Sequence, residues 1–414
     1  MTDSPDSRAV VRLMSLSAAL GVLVAVGFHL FERSYQWLQH WLWVTVPGQR
    51  PTVAYTLALA TAGGLLVGLA LRFVPGHGGA HPADGHGLLG AAPDAAPPKV
   101  AAIVGSLLVG WIGLVAGASL GPEGAIFPVA IGLSFLVASW GGLTAQMRQL
   151  LMGAGVGSLL ASMLGNPLAG ILPLLEMVPA SSPLVTTMLV LPSLVASSTA
   201  VLTLHVLHAH PVASLPIDYP HFHVMHLVWA VLIGMVAGAA GLLVDRSMRL
   251  LRRFTRLLDA RGVVLTGAVG GLVLGVLYAI GGVNVRFSGM PELLHLVADS
   301  HHVSRAVWAL VVKVAATAWC LAVGYRGGKI FPVVFVGGAV GLALHLMLTQ
   351  IPLPVAVGVG LSAAMATALA APATAAMIAA ALVGPALLPL ALLGIVVAHT
   401  VHLLADQVRA ASTN

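Results

Sequence analysis

Charge is what this sequence has least of. Only 8% of its 414 residues are Asp, Glu, Lys or Arg, while 58% are hydrophobic. A soluble chain carries about a quarter charged residues, so too few charges are present to cover a water-facing globule. Cysteine is almost absent: the single Cys320 lies in an apolar run, which excludes a disulfide framework or a zinc ribbon. No P-loop occurs, which disfavours an ATP-driven pump. A Gly-x-Gly-x-x-Gly nucleotide site would need a strand context that the chain lacks. No enzyme signature is found, and no cofactor or metal is expected. The net charge of +6 does not point to nucleic acid, because the basic residues flank apolar segments.

What is present is hydrophobic length. The mean hydropathy is +0.99. Apolar runs recur along the chain, among them Leu13–Phe31, Val53–Phe73, Val100–Ala118, Leu184–Val206, Val224–Val244, Val263–Ile280, Ala306–Val323 and Met377–His399. A span needs ~20 residues, and several runs are shorter or broken by Gly and Pro. These features predict an all-α polytopic membrane protein of about ten or more segments, some not crossing fully. Continuous runs exclude a β-barrel. No cleavable signal peptide is expected, since Leu13–Phe31 is long for a signal core and no small-residue cleavage site follows it. The positive-inside rule puts Arg8, Arg12 and the arginines of an Arg246–Arg261 loop in the cytoplasm. The chain then sits in the plasma (inner) membrane as a multi-pass protein.

The chain is organised around Gly121-Pro122-Glu123-Gly124-Ala125-Ile126-Phe127-Pro128. A lone acid at membrane depth is costly and usually lines a polar path. Gly and Pro around it predict an interrupted backbone, and a helix starting there would aim free N–H groups at an anion. The plainer alternative is a loop glutamate facing water. The stretch returns: Gly124 to Val129 resembles Gly328 to Val333, 204 positions on, and Gly155 and Pro167 match Gly360 and Pro372, each 205 on. Two halves interrupted at corresponding places point to a binding site between repeats. The first repeat is read as 13–207, the connector as 208–226 and the second repeat as 227–406. Glu123 faces Gly327 in this alignment, so the acid belongs to the first half alone.

Other chemistry is sparse. Glu176 is either an inner acid on a water path or an interfacial charge. Lys313 either snorkels or lends positive potential to an anion path. Lys329, after Gly327-Gly328, is either interfacial or deepens an anion site. The Gly63-Gly64 and Gly281-Gly282 pairs read as helix-packing positions. The connector holds His208, His210, His221, His223 and His226. It reads as solvent-exposed, with a metal or pH role as the alternative. A Gly/Pro/His-rich stretch over Pro75–Pro98 cannot be helical throughout.

These motifs, in order and over about residues 15–405, resemble the CLC family of chloride channels and chloride/proton exchangers, of the prokaryotic type without CBS domains. Gly121-Pro122-Glu123-Gly124-Ala125 resembles its Gly-x-Glu-Gly-Pro motif, and Gly327-Gly328-Lys329-Ile330-Phe331-Pro332 its Gly-x-Phe-x-Pro segment. Asn166-Pro167-Leu168-Ala169-Gly170-Ile171-Leu172 with Glu176 looks like the segment leading to its inner acid, and Gly76 to Ala80 occupies the place of its Gly-Ser-Gly-Ile-Pro segment. The resemblance implies a homodimer in the bilayer, with one pore per subunit. Each subunit would be two inverted repeats of tilted, partly discontinuous helices. Chloride would be held by helix N-termini, with Glu123 as a gate that takes up protons. Gly121, Glu123, Gly124, His77, Lys329, Ile330 and Phe331 would be the anion-binding residues, and Glu176 would stand on an inner proton path. Departures follow from the same comparison. Pro122 has no N–H to give. Ala125 replaces a proline, and Ile330 stands at the phenylalanine of Gly-x-Phe-x-Pro. His77 replaces a serine, and Gly384 stands where the pore tyrosine belongs. Met177 aligns with the exchangers' inner glutamate. Passive anion conduction is therefore the first expectation. A chloride/proton antiporter using Glu123 and Glu176 is the second, and a secondary carrier for another solute the third.

Overall fold

A computed structural model describes residues 7–48, 51–74, 100–177, 183–209, 219 and 221–413. His77, the Pro75–Pro98 stretch, His210 and the Met177 side chain lie outside them. The described residues form fifteen α-helices. In chain order these are α1 (Ser7–His40, continued by a π-turn to Thr45), α2 (Val53–Phe73), α3 (Val100–Val115), α4 (Glu123–Gly141), α5 (Ala145–Leu164), α6 (Leu172–Met177) and α7 (Pro183–Val206). Then follow α8 (Met225–Asp259), α9 (Val263–Gly281), α10 (Met290–Asp299), α11 (Val303–Ala322), α12 (Ile330–Met347), α13 (Leu353–Leu369), α14 (Pro372–Val383) and α15 (Leu388–Thr413). Among the described residues no strand forms, and one isolated bridge joins Gly121 to Gly328. Ten helices are long and apolar enough to cross a membrane, and shorter apolar helices fall between them. The all-α membrane architecture read from hydropathy is the one observed.

The chain divides into two compact units that do not follow the repeat boundaries. One unit holds residues 1–34, 91–104 and 126–213; the other holds 35–90, 105–125 and 214–414. In the first unit α5 is the buried element, with Ala154 to Leu164 enclosed almost without break. It meets the turn before α6 through Gly157 and Gly170, where a Cβ on either would strike the other's carbonyl. Such close approach is how apolar helices associate when lipid is as apolar as their side chains.

The second unit repeats the device. Gly64 on α2 faces Gly267 and Gly271 on α9; Gly337 on α12 faces Gly360 on α13; Gly241 on α8 faces Ala364 on α13. Gly63-Gly64 is thus a packing pair, as its sequence suggests. Gly281-Gly282 is only half one. Gly281 packs against Val285 and Val312, but Gly282 has φ +75° with no neighbour where a Cβ would stand, and it ends α9. It is glycine for its left-handed turn.

One further expectation needs correcting. Arg246, Arg249, Arg252, Arg253 and Arg256 are not in a loop: all lie on α8, and only Arg261 follows it. At 35 residues α8 is roughly 52 Å long at the usual rise, more than the ~30 Å hydrocarbon core. Its arginine-rich end is the polar excess, and Arg252 there pairs with Asp259. Arg8 and Arg12 lie on α1, which is helical from Ser7.

Candidate functional site

The site begins with how two helices start. Glu123 is the first residue of α4, where a carboxylate complements the positive end of the helix dipole. Proline before it has no N–H to lose. Lys329 caps α12, whose first residue is Ile330. The two approaches pair through their backbones: the Gly121 N–H donates to the Gly328 carbonyl at 2.8 Å, and the Gly328 N–H to the Gly121 carbonyl at 2.9 Å. This pair of hydrogen bonds between segments about two hundred residues apart brings both helix starts to one place.

Glu123 lies in the gap between them. It is 2% exposed, so it is not a loop glutamate facing water. Its Oε1 accepts the Ile330 N–H at 2.9 Å, the first orphan donor of α12. Oε2 is buried with no partner among the described residues. A Cβ on Gly121 or on Gly328 would overlap the carboxylate. Both glycines are therefore required by the acid that folds between them. Gly124 is required by the opposite segment, since a Cβ there would strike the Gly327 backbone.

The expected anion-binding residues separate into three groups. The N–H groups of Glu123, Gly124 and Phe331 have no backbone acceptor among the described residues, and that of Ile330 goes to the carboxylate. The Gly121 N–H, expected to face an anion, is instead spent on Gly328. The Lys329 ammonium, expected to deepen the site, is committed to Asp245 of α8 at 2.8 Å. Its charge is offset there, and what Lys329 brings to the site is its place before α12. Glu176 is exposed at the end of α6.

Lys313 is fully buried, yet it does not face the carboxylate. Its ammonium donates to the carbonyls of Val285, Arg286 and Phe287 at 3.3, 3.0 and 2.6 Å. Three N–H groups meet three acceptors, so the lysine ties down a turn. Full burial rules out the snorkelling reading. Of the connector histidines, His226 is engaged with Tyr219 at 2.7 Å and with the His223 N–H at 3.2 Å. Among the described residues no three His, Cys, Asp or Glu side chains gather as a metal site would need.

Several polar residues around the site carry no sequence signal. The Ser119 hydroxyl meets that of Thr317 at 3.1 Å, and the Ser119 N–H meets the Cys320 sulfur at 3.4 Å. Thr317 and Cys320 sit on the α11 face that also carries Lys313, four and seven residues on, a spacing that shares a helix face. Tyr325 is 1% exposed and its hydroxyl has no partner among the described residues. Serine, threonine and tyrosine in apolar runs are too common to single out until a fold shows which neighbours they meet.

Comparison with known proteins identifies the family and the fold. YfeO of Escherichia coli, which carries the name of an ion-transport protein, is 29% identical over 359 residues in strain UMN026 and 30% identical in strain IAI39. The alignments cover 85% of this chain and 84% of the relative. Among solved structures, one described as a slow cyanobacterial Cl−/H+ antiporter superposes with a TM-score of 0.80 at 20% identity, covering 96% of this chain and 95% of that one. Another, described as a CLC-type fluoride/proton antiporter, gives 0.79 at 16% identity and covers 96% of both chains. The family profile for voltage gated chloride channels matches residues 63–403. With that profile spanning most of its length, the chain belongs to the voltage gated chloride channel (CLC) family.

Proposed function

We propose that the protein carries chloride, or another small anion, across the membrane through a path gated by Glu123. The observation that carries this reading is the Glu123 Oε1 on the Ile330 N–H at 2.9 Å. A carboxylate oxygen there stands in for a halide: each is a compact negative acceptor at a helix N-terminus. Carboxylate and anion compete for one donor. Protonation removes the negative charge, weakens the hold of the N–H group and frees the site. Conduction should therefore rise as pH falls. The curated relatives named for ion transport and the neighbouring antiporters support anion transport as the class.

Passive conduction is the first reading, because Met177 aligns with the proton-carrying position of exchangers and Gly384 with the pore tyrosine. Exchange of anion for proton through Glu123 and Glu176 is the second. It is favoured by the neighbouring structures, which are described as antiporters. The subunit is proposed to work as a homodimer with its own pore in each copy. It is placed in the plasma membrane, with the arginine-rich end of α8 cytoplasmic by the positive-inside rule.

Proteoliposomes with valinomycin, no uncoupler, and simultaneous chloride and pH electrodes test the proposal. Chloride efflux without proton movement supports conduction, and proton movement driven uphill by chloride supports exchange. Fluoride belongs in the same panel, given the fluoride/proton neighbour. No halide flux at any pH, with flux of another solute, would leave a secondary carrier.

A further inference from the structure

A cavity of about 290 Å³ opens beside the turn held by Lys313. Trp43, Asn284, Arg286, Phe287, Glu292 and His295 are among the residues lining it. It lies at the end of α9 opposite the arginine-rich end of α8, so the orientation proposed above would make it face the outside.

Two of its walls carry opposite charges that do not pair. Arg286 is only 7% exposed, yet its buried Nε has no hydrogen-bond partner among the described residues. Its guanidinium carbon stands over the Trp43 ring, 5.5 Å from the centroid. The Glu292 Oε2 is buried with no hydrogen-bond partner among the described residues, and the Lys313 ammonium is a nearby charge. Burying a polar atom of a charged group without a hydrogen bond is costly, and cation–π contact with Trp43 offsets only part of that cost for the guanidinium. Two neighbouring charges of opposite sign would ordinarily close on each other. Here the backbone that carries each of them is held in place. Lys313 holds the carbonyls of Val285 to Phe287, Phe287 takes φ +53°, and the Phe287 N–H donates to the Tyr278 hydroxyl at 3.1 Å. Arg286 is pinned on this turn, while Glu292 is fixed in the first turn of α10.

We propose that this cavity binds a small zwitterion, its carboxylate on Arg286 and its ammonium on Glu292. Both charges of such a ligand meet complementary groups, which neither an anion nor a cation achieves. The volume is too large for a bare halide and suits a molecule of amino-acid size. The Trp43 and Phe287 rings supply an apolar wall for the ligand's carbon chain. Lys313 is not a ligand-binding group. Its protons are taken by the turn, and it acts by positioning Arg286.

The test is calorimetric titration of the full-length protein in detergent micelles with glycine, β-alanine, γ-aminobutyrate and glycine betaine, against acetate, ethylammonium and chloride. At least one zwitterion is expected to bind saturably and ~tenfold or more tighter than acetate or ethylammonium. Arg286→Gln and Glu292→Gln should each weaken it by a similar factor, in protein that still elutes as a sharp peak on gel filtration. Arg286→Lys, which keeps the charge, guards against misfolding and should retain part of the affinity. Burial raises the Glu292 carboxyl from its ordinary value, opposed by Lys313, by the backbone N–H groups of Glu292 and Gly289, and least by His295. Its ionised form holds the ammonium, so affinity should fall on acidification at a pH above the usual carboxylate range. Acetate or chloride binding as tightly as the zwitterions would make this an anion site and overturn the proposal. No binding by any member of the panel would overturn it as well. The measurement involves no transport, so its failure leaves the Glu123 gate untouched, and the converse holds.

Discussion

Two stretches of this protein look alike and do different work. Ile126-Phe127-Pro128 and Ile330-Phe331-Pro332 are the same three residues 204 positions apart, but their helices start in different places. α12 begins at Ile330, whereas α4 begins three residues before Ile126, at Glu123. The extra turn exists because Glu123 suits a helix N-terminus. At the corresponding positions Gly327-Gly328 neither favours helix nor leaves it room, since Gly328 is bonded to Gly121. That turn carries the acid. The other half supplies an empty helix start, and the first half supplies the side chain that fills it. Near-symmetric backbones with one asymmetric carboxylate make a site that can be closed and opened.

The strongest way to break this asymmetry is to remove the acid. Glu123→Ala should abolish the pH response of anion flux; in the unaltered protein, flux should rise with acidification by up to ~tenfold per pH unit, the limit for one proton. A mutant that keeps the response, measured by chloride efflux from proteoliposomes between neutral and acid pH, would sink the gate assignment. Next comes Gly328→Ala. Its Cβ overlaps the Glu123 side chain, so the carboxylate should be expelled and flux should become pH-independent with Glu123 still present. A third comparison concerns charge. Lys329→Met leaves Asp245 without its partner on a partly exposed pair. Melting should register a loss of ~1 kcal/mol, largely recovered in Lys329→Met with Asp245→Asn. The smallest effect is expected at the two prolines. Pro332 falls in the first turn of α12, where an N–H would be orphaned anyway, so Pro332→Ala should change stability by less than ~1 kcal/mol. Pro128 sits a turn deeper in α4, and Pro128→Ala should shift melting more.

The matched pairs show how far such a repeat can be followed. Gly155 and Gly360, paired by offset alone, do the same job. Gly155 lets α5 approach Ser134 and Ala130 of α4, and Gly360 lets α13 approach Gly337 of α12. Pro167 and Pro372 each stand at the start of a short helix. Glycine and proline were legible because their roles are local: φ, a missing N–H, a missing Cβ. The fate of Lys329 was not legible, because its partner Asp245 lies 84 residues away. For the same reason Lys313 misled. A buried lysine can serve a path or a turn, and the carbonyls of Val285 to Phe287 are not visible in a sequence.

By itself, then, the sequence determined the membrane class, the helical architecture, the family and the identity of the one acid between helix starts. Hydropathy, helix-breaking residues and spacing are properties of the chain alone. Tertiary structure decided the rest. It placed the Glu123 carboxylate on the Ile330 N–H, spent the Gly121 amide on Gly328, turned Lys329 toward Asp245 and set Arg286 and Glu292 unpaired around one cavity. Each depends on which distant groups come within hydrogen-bond distance, and that is set by close packing at glycines, which leaves a polar side chain few places to go.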